Sequence, residues 1–468
     1  MNWDQLLCSR RERPHSSNNS GEVRTEFRRD YHRIIGSASF RRLQDKAQVY
    51  PLERGDFVRT RLTHSLEVSS FAESLGDMIF RKLKKPGIST DMREDCCDIL
   101  RCAGLIHDIG NPPFGHFGEF AIRRWFKDNL PRLTFNNKPV SELLNEQMKA
   151  DLLNFEGNAQ ALRIIARLHC LTDMSTGMNL TYALLNTIIK YPVSSVGIDK
   201  HSGDIRTKKM GYFYSEQDLF NEVTHSTGAE QSRYPLTFIL EAADDIAYLT
   251  ADIEDAVTKG YLNIHALVSE LSSPSDHFDE KEAETITAAL NMLTESKKNT
   301  SELGMPDFER KAVQQWIVKL QNMLIYAAAD SFCDNYAEIM NGTFKTDLLG
   351  ASHARGLAKL LGKIAYDYAF RSKSIVRSEI SEHTIMNSLL NNIVDMALNF
   401  DLERDSDFHR DLSEILSENY IAICRNKCKD ASESEQCYYR ILLATDCISG
   451  MTDSYAEKFY RMLNGLGD

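Results

Sequence analysis

Apolar residues recur at spacings of three and four along most of the chain, which is the periodicity of an amphipathic helix. One apolar stripe over residues 68–79 predicts a helix that carries His64 one turn before the stripe and ends near the breaker cluster at residues 85–87. A second stripe predicts a helix that starts near Asp95 and stops at the Gly-Asn-Pro-Pro run of residues 110–113.

The same periodicity predicts a third helix from about Phe114 and a fourth helix that begins after Pro235. Residues 199–215 are rich in Gly, Lys and Tyr and are expected to form a loop or a short hairpin. The polar stretches at residues 272–280 and 295–305 are the predicted linkers between a catalytic half and a helical C-terminal half. Because strand-like alternation is scarce, we expect a mainly α fold with at most a small hairpin.

Composition narrows the class of protein. The 468 residues include 42% hydrophobic and 26% charged residues with only 24 Gly and 11 Pro, which argues against fibrous and disordered classes. No apolar run approaches the roughly 20 residues of a membrane-spanning helix, and the polar start lacks the apolar region of a secretory signal. The 10 cysteines are scattered without a CxxC pair, so we expect reduced thiols and a cytoplasmic protein.

The net charge of the chain is -12, but its N-terminal segment is basic. Residues 1–63 hold 13 Lys or Arg against 8 Asp or Glu. This segment can therefore supply an anion-binding wall in a protein that is acidic as a whole.

Three of the predicted helices offer side chains that can bind a metal ion. His64 continues an apolar stripe and points inward, His107 and Asp108 end the second helix, and Asp244 lies amid apolar neighbours on the fourth. The polar face of that fourth helix also carries Tyr248 and Asp252. Imidazole nitrogens and carboxylate oxygens suit Mn²⁺, Fe²⁺, Zn²⁺, Co²⁺ or Mg²⁺, and such an ion can acidify a water molecule for attack.

A second pair of functional side chains follows shortly after the second helix. His116 and Glu119 are three residues apart on the predicted third helix, so their side chains share one face. In this arrangement the carboxylate can orient the imidazole and stabilise its charged form. The spacing is therefore typical of an acid/base pair.

Each of these features has a structural alternative when it is taken singly. His64 can be a satisfied core residue, the pair at residues 107 and 108 can cap a helix C-terminus, and His116 with Glu119 can form a surface ion pair. Asp244 can belong to a solvated face. Their joint occurrence favours the interpretation as one metal-dependent site.

The order His64, His107-Asp108, Asp244 resembles the H…HD…D pattern of the HD-domain phosphohydrolases. The sequence motifs around it, above all HDIGNPPFGHFGE and EAADDIAY, resemble those of the bacterial deoxyguanosine triphosphate triphosphohydrolases. The resemblance covers nearly the whole chain through residues 24–52, 60–76, 104–119, 155–164, 188–192, 241–256 and 448–463. One departure is Ala47, where the family pattern leads us to expect threonine.

The resemblance implies an HD-type catalytic domain at residues 1–270, including the basic segment, and a helical region at residues 271–468 that contributes to the pocket and to oligomer contacts. It also implies a set of site residues. The implied metal ligands are His64, His107, Asp108 and Asp244, the catalytic dyad is His116 with Glu119, and the substrate contacts are Gln48, Val49, Arg61, Asn158, Lys190, Tyr191, Tyr248 and Asp252.

Within that set the resemblance gives each substrate contact a role. Arg61 resembles the arginine that contacts the α-phosphate, whereas Lys190, Tyr191 and Asn158 look like contacts to the triphosphate. The remaining contacts surround the deoxyribose: Gln48 and Val49 close over the sugar, Tyr248 crowds a 2′-hydroxyl and Asp252 accepts the 3′-hydroxyl. Asp244 is preferred over Asp245 because it keeps the family's spacing to the tyrosine four residues on.

The implied activity is hydrolysis of dGTP to deoxyguanosine and inorganic tripolyphosphate, with one divalent ion per site, Mn²⁺ or Mg²⁺, or else Fe²⁺, Co²⁺ or Zn²⁺. The family further implies a homo-oligomer, commonly a hexamer, and permits single-stranded DNA as an effector. Two alternatives stay open: a broader deoxynucleotide triphosphohydrolase or other HD nucleotide phosphohydrolase, and a nucleotide- or single-stranded-DNA-binding regulator on the same fold. The loop at residues 200–214, with Lys208 and Lys209, is expected to be a solvated basic loop.

Overall fold

A computed structural model of the chain describes residues 1–14, 24–52, 59–83, 88–169, 176–274, 278–370 and 373–467. The described chain is mainly helical, as the spacing of apolar residues predicted. The breaker cluster predicted at residues 85–87 lies outside the described residues. Within the described ranges, no helix combines the length and the apolar character that crossing a bilayer requires.

The four helices expected around the site are present. They are Arg61–Lys82, Thr90–Ile106, Gly115–Asn129 and Pro235–Thr258. The second of them begins five residues earlier than predicted, because Thr90, Asp91 and Met92 already join the helix. The third follows the tight turn at residues 110–115, as the Gly and Pro residues there indicated.

The other helices are short on the N-terminal side of the chain and longer towards its C-terminus. The remaining α-helices are Trp3–Leu6, Glu26–Ile35, Ala38–Arg42, Val140–Leu143, Glu146–Leu153, Gly157–Arg167, Tyr182–Ile188, Gln217–Thr227, Ile264–Ser272, Glu280–Glu302, Phe308–Asp334, Tyr336–Met340, Arg355–Ala365, Lys373–Asn399, Asp407–Ile415, Glu418–Cys428, Glu433–Ser449 and Asp453–Leu463. Single 3₁₀ turns lie at Leu43–Asp45, Leu130–Arg132, Ser195–Gly197, Ile205–Thr207 and Tyr214–Glu216, and a π-helical turn lies at Tyr366–Phe370.

One small hairpin interrupts the helices. Strand Thr134–Phe135 pairs antiparallel with strand Lys138–Pro139. Asn136 and Asn137 connect them with φ of 48° and 65°, and asparagine tolerates this left-handed conformation well. The predicted limit of one small hairpin is therefore met, although it lies outside the loop at residues 199–215, which instead holds two 3₁₀ turns.

The chain divides into two compact units. The first unit comprises residues 1–65, 105–237 and 378–468, and the second comprises residues 66–104 and 238–377. Each of these units is built from segments that are not consecutive in the sequence. The boundary expected between residues 270 and 271 instead separates a catalytic domain from a C-terminal region, and it stays a prediction.

The core of the first unit contains a buried charge network as well as apolar side chains. Arg163 is 7% exposed and donates to Asp446 at 2.7 Å and to Glu216 at 2.8 Å. Buried charges persist when each has a partner and hydrogen bonds. This network joins three segments that are far apart in the sequence.

The second unit is built on the antiparallel contact of two long helices, Glu280–Glu302 and Phe308–Asp334. Trp316 is fully buried there and its indole N–H donates to the carbonyl oxygen of Ala289 at 2.8 Å. The linker predicted at residues 295–305 is wrong, because the helix continues to Glu302. The linker predicted at residues 272–280 coincides with a break between two helices.

Candidate active site

Three of the predicted metal ligands come together in the first unit. His64 lies in the first turn of the helix Arg61–Lys82, and His107 and Asp108 follow the last turn of the helix Thr90–Ile106. Each offers one ligand atom, and these atoms all lie within 4.8 Å of one another. Two imidazole nitrogens and one carboxylate oxygen at this separation can bind a divalent transition metal ion.

The surroundings of these ligands fix their orientation. The imidazole rings of His64 and His107 are both buried, with centroids 5.4 Å apart. The Asp108 carboxylate accepts a hydrogen bond from Arg61 Nη1 at 2.6 Å and another from Asn111 Nδ2 at 2.6 Å. Each carboxylate oxygen has further lone pairs, so these bonds orient Asp108 and leave it able to bind a metal ion.

A tight turn joins the His-Asp pair to the next helix. Phe114 has a φ of 64° and Gly115 a φ of 56°, both in the left-handed region. A Cβ atom on Gly115 would overlap the guanidinium of Arg61, so the backbone must approach that side chain closely. The turn thereby places the start of the helix Gly115–Asn129 beside Arg61 and Asp108.

The predicted dyad is brought together on that helix. His116 Nδ1 lies 3.5 Å from Glu119 Oε2, and the imidazole is 75% exposed whereas the carboxylate is 2% exposed. Burial alone would raise the pKa of Glu119, but the hydrogen bond from His116 and the positive charge of Lys209 lower it below its ordinary value. An ionised, buried carboxylate next to an accessible imidazole can support proton transfer by that imidazole.

Lys209 is the main site residue that the sequence interpretation missed. Its Nζ lies 2.9 Å from both carboxylate oxygens of Glu156, and it contributes to the low pKa of Glu119. Burial alone would lower the pKa of Lys209, but Glu156 and Glu119 raise it. The expectation of a solvated loop is therefore wrong for Lys209, whereas it holds for the exposed Lys208.

The loop reaches this position through close backbone packing. The Gly211 N–H donates to the carbonyl oxygen of Val193 at 2.9 Å, and a Cβ atom on Gly211 would overlap the carbonyl oxygen of Tyr191. Only glycine allows this approach. The Lys-Lys-Met-Gly run at residues 208–211 carried no signal in the sequence that separates Lys209 from the solvated Lys208.

Two further residues complete the charged cluster around Glu119. Arg123 lies 3.7 Å from Glu119 and 4.0 Å from Glu156. Burial and the neighbouring charge of Glu119 raise the pKa of Glu156, which is 2% exposed. Two carboxylates and two cations thus share a small volume, and the cations prevent the mutual repulsion of Glu119 and Glu156 from expelling either.

The predicted substrate contacts of the first unit occupy different environments. Asn158 is half-buried and its Nδ2 donates to Glu156 at 2.8 Å. Tyr191 is buried, and its phenol is close enough to Lys209 to affect the pKa of that lysine, while Lys190 is half-buried. Gln48 lies on the extended segment that bridges to Thr60 and presents a buried amide oxygen without a hydrogen-bond partner among the described residues, next to the half-buried Val49.

The other predicted contacts lie on the helix Pro235–Thr258, in the part that belongs to the second unit. Asp244 and Tyr248 are half-buried and Asp252 is 1% exposed. Their spacing of four residues places all three on one face of that helix. Asp244 as a fourth metal ligand, and Tyr248 with Asp252 as sugar contacts, stay predictions.

Comparison with known proteins identifies the family. Residues 61–247 match the HD domain family model. Over the full length of both chains, the sequence is 45% identical to the deoxyguanosinetriphosphate triphosphohydrolase-like protein of Listeria innocua and 34% identical to that of Synechocystis. It is also 33% identical to the deoxyguanosinetriphosphate triphosphohydrolase of Salmonella arizonae, covering 99% of this chain and 97% of the relative. The chain therefore belongs to the deoxyguanosinetriphosphate triphosphohydrolase family of HD-domain proteins.

Proposed function

We propose that this protein hydrolyses dGTP to deoxyguanosine and inorganic tripolyphosphate. The observation that carries the proposal is the cluster of His64, His107 and Asp108, whose ligand atoms lie within 4.8 Å. A short turn joins His107 and Asp108 to the helix that carries His116 and Glu119. The Salmonella relative is named for this substrate and its sequence aligns with nearly the whole chain.

The donor set fits one divalent metal ion. His64, His107 and Asp108 would hold it, with Asp244 as the proposed fourth ligand. When bound, the ion would polarise an α-phosphate oxygen and acidify a water molecule for attack at phosphorus. Mn²⁺ or Mg²⁺ is the proposed ion, and Fe²⁺, Co²⁺ or Zn²⁺ would also suit two imidazoles and carboxylates.

The side chains beside this cluster supply the remaining chemistry. Arg61, which already neutralises Asp108 at 2.6 Å, would also balance the charge of the α-phosphate. His116 is 75% exposed, so its imidazole is accessible and would hold or deliver the proton that the leaving 5′-oxygen needs. Glu119 would keep that imidazole oriented.

The cations behind the dyad suit the rest of the triphosphate. Lys209 is held by Glu156, and it would contact the β- and γ-phosphates together with Lys190, Tyr191 and Asn158. Arg123 would stay with Glu119 and Glu156 and keep neutralising their charge. Charge-assisted hydrogen bonds of this kind are about twice as strong as neutral ones.

Selection of a deoxyribose would depend on shape and on hydrogen bonding. Val49 and Tyr248 would leave no room for a 2′-hydroxyl, and Asp252 would accept the 3′-hydroxyl. Gln48, whose buried amide oxygen has no hydrogen-bond partner among the described residues, would close over the sugar beside Val49. A site that hydrogen-bonds a substrate hydroxyl discriminates strongly against an analogue that lacks it.

Product analysis tests the proposal. Purified protein is incubated with Mn²⁺ and dGTP in ¹⁸O-labelled water, and the products are separated by anion exchange. We expect deoxyguanosine without label and tripolyphosphate with one ¹⁸O, because water attacks the α-phosphorus. Orthophosphate or pyrophosphate as the first product would contradict the proposal, and a panel of the other deoxynucleotides would reveal a broader specificity.

The proposed assembly is a homo-oligomer, a hexamer by analogy with the family, and the proposed location is the cytoplasm. Single-stranded DNA is proposed as an effector, acting through the basic N-terminal segment at residues 1–63. Light scattering of the purified protein measures the assembly. Titration of an oligonucleotide during dGTP hydrolysis, at two salt concentrations, tests the effector.

A further inference from the structure

Asp453 connects the C-terminal end of the chain to the turn that carries the site. It is the first residue of the helix Asp453–Leu463 and is 3% exposed. Its Oδ1 accepts a hydrogen bond from the backbone N–H of Phe114 at 2.9 Å, and its Oδ2 accepts one from the backbone N–H of Ala47 at 2.8 Å. One buried carboxylate therefore ties together three segments of the first unit.

Lys46 makes a parallel connection with a positive charge. It is 2% exposed, and its Nζ donates to the carbonyl oxygen of Asn111 at 2.5 Å and to that of Ser449 at 2.6 Å. Asn111 in turn donates its side-chain amide to Asp108 at 2.6 Å. The contacts thus continue from the C-terminal segment through Lys46 and Asn111 to a proposed metal ligand.

The contact from Asp453 is made to Phe114, a residue of the turn with an uncommon backbone conformation. Phe114 has a positive φ of 64°, which a non-glycine residue rarely adopts without outside support. The support comes from Asp453, which accepts the Phe114 N–H. Two residues later the chain reaches His116, so the conformation of Phe114 sets the direction in which the helix of the dyad begins.

We propose that Asp453 and Lys46 are positioning residues for hydrolysis. They hold the turn at residues 108–115 so that Asp108 and the His116-Glu119 dyad keep their separation. Neither side chain contacts the reacting atoms: Asp453 binds backbone N–H groups, and Lys46 binds backbone carbonyl oxygens. The kinetic test of this inference rests on the proposed function, whereas the Mn²⁺-binding test rests on the metal site alone.

The opposite charges of the two residues explain why the arrangement needs both. Burial lowers the pKa of Lys46 to about 7 and raises the pKa of Asp453, and each of the two charges opposes the shift of the other. A buried charge that loses its partner is unfavourable. Removal of either residue is therefore expected to loosen the same turn.

The test compares Asp453→Asn with Asp407→Asn. Both residues occupy the first position of a helix, but Asp407 is 93% exposed and its carboxylate pairs with the exposed Arg410. In Asp453→Asn we expect kcat for dGTP to fall about 10- to 100-fold with KM changed less than about threefold, the range seen when groups that orient a metal ligand are removed. Mn²⁺ affinity, measured by titration without nucleotide, should fall about tenfold or more. Asp407→Asn should match wild type in both.

A second variant and a rescue separate positioning from a loss of folding. If circular dichroism shows that Asp453→Asn does not fold, Lys46→Gln is measured in the same way. Lys46→Arg keeps the charge and should recover part of the Mn²⁺ affinity that Lys46→Gln loses. Combining Asp453→Asn with Lys46→Gln should cost little more than the larger single effect, because both act on one turn. If folded Asp453→Asn keeps the kcat and the Mn²⁺ affinity of wild type, the proposal is overturned. If wild type does not hydrolyse dGTP but still binds Mn²⁺ more tightly than Asp453→Asn, only the proposed function is overturned.

Discussion

The buried carboxylate of Glu119 accepts a hydrogen bond of 2.7 Å from the backbone N–H of Gly157, the first residue of the helix Gly157–Arg167. The N-terminus of a helix favours negative charge, because its first N–H groups have no partners within the helix. This bond occupies Oε1 and leaves Oε2 facing His116. The position of the dyad therefore depends on a residue without a side chain.

Replacing Gly157 with alanine should lower activity without unfolding the protein. A Cβ atom there would overlap Asn111 Oδ1 and lie 2.8 Å from Glu119 Oε1, so both side chains must move. Misplacement of catalytic groups by about 1 Å can cost about 100-fold in rate, and we expect kcat to fall by about that factor. Steady-state kinetics and thermal unfolding measure the two effects separately.

Gly362→Ala is the matched control for this substitution. Gly362 also lies in a helix, and an added Cβ there would meet Leu249 at an ordinary distance of 3.5 Å. Alanine in a helix is favoured over glycine by about 1 kcal/mol, so this variant should keep full activity and equal or greater stability. Equal kcat in both variants would show that the added Cβ atom at residue 157 does not displace the dyad.

The dyad itself should contribute to kcat rather than to substrate binding. General acid–base groups supply about 10²- to 10⁴-fold in rate, so His116→Ala and Glu119→Gln should each lower kcat by a factor in that range. The double variant should be little worse than His116→Ala, because Glu119 acts through the imidazole. Single-turnover kinetics with dGTP measure the chemical step directly.

The control for the dyad is the exposed pair His225 and Glu230, whose atoms lie 3.1 Å apart and whose side chains are 81% and 66% exposed. His225→Ala removes a similar ion pair from a solvated surface, where such pairs contribute about 1 kcal/mol or less. Its kcat should equal that of wild type. A comparable loss in His225→Ala would mean that the His116 effect is not specific to the site.

The sequence predicted those parts of the site that are local in the chain. The spacings within residues 107–108 and 116–119 follow from helix geometry, and the turn between them follows from Gly and Pro. The contact of Lys209 with Glu156 spans 53 residues, and that of Asp453 with Phe114 spans 339. Pairings of this kind depend on tertiary packing, which hydrophobic periodicity does not encode.

The error at residues 295–305 has a different cause. The helix Glu280–Glu302 begins with a capping box of Asp279 and Glu282, which is a readable start signal. Towards its end it buries Ser296 and Thr300, and Thr300 donates to a carbonyl oxygen of the preceding turn at 2.9 Å. Small polar residues on the inner face make such a segment look like a linker, because burial of a hydroxyl is not visible in composition.

Lys209 should bind the triphosphate rather than take part in proton transfer. We expect Lys209→Met to raise KM for dGTP about tenfold or more, because a hydrogen bond to a charged group contributes about 1.5–3 kcal/mol, and to change kcat less. Lys208→Met is the control next to it, since Lys208 is exposed. Equal KM values in the two variants would place the triphosphate elsewhere.

The metal site predicts a stability that depends on the ion. A ligand that binds only the folded state stabilises by about 2.7 kcal/mol at 100 times its Kd, so Mn²⁺ should raise the Tm of wild type by several degrees. His107→Asn should show no such rise and should retain little metal after gel filtration. A Tm rise in His107→Asn equal to that of wild type would remove His107 from the ligand set, while His225→Ala should respond as wild type does.

A buried carboxyl in the first unit predicts a pH dependence of stability that is separate from activity. Glu382 is 2% exposed on the helix Lys373–Asn399, and burial, together with the charges of Asp453 and Glu379, raises its pKa to about 8. In the unfolded chain a glutamate titrates at about 4.3. The folded state therefore holds a proton that the unfolded state has released, and this contribution to stability is fully present below about pH 4 and is lost as the pH rises through about 8.

Glu382→Gln isolates this contribution because glutamine keeps the shape and does not titrate. At pH 5 the variant and wild type should have similar Tm values, and at pH 8 the variant should be the more stable of the two. The difference in Tm between the two proteins cancels the titration of groups that do not interact with Glu382, so the growth of that difference from pH 5 to pH 8 reports Glu382 and its coupling to Asp453 and Glu379. A difference that stays constant across this range would mean that Glu382 is ionised in the folded protein, and that a cation outside the described contacts compensates its burial.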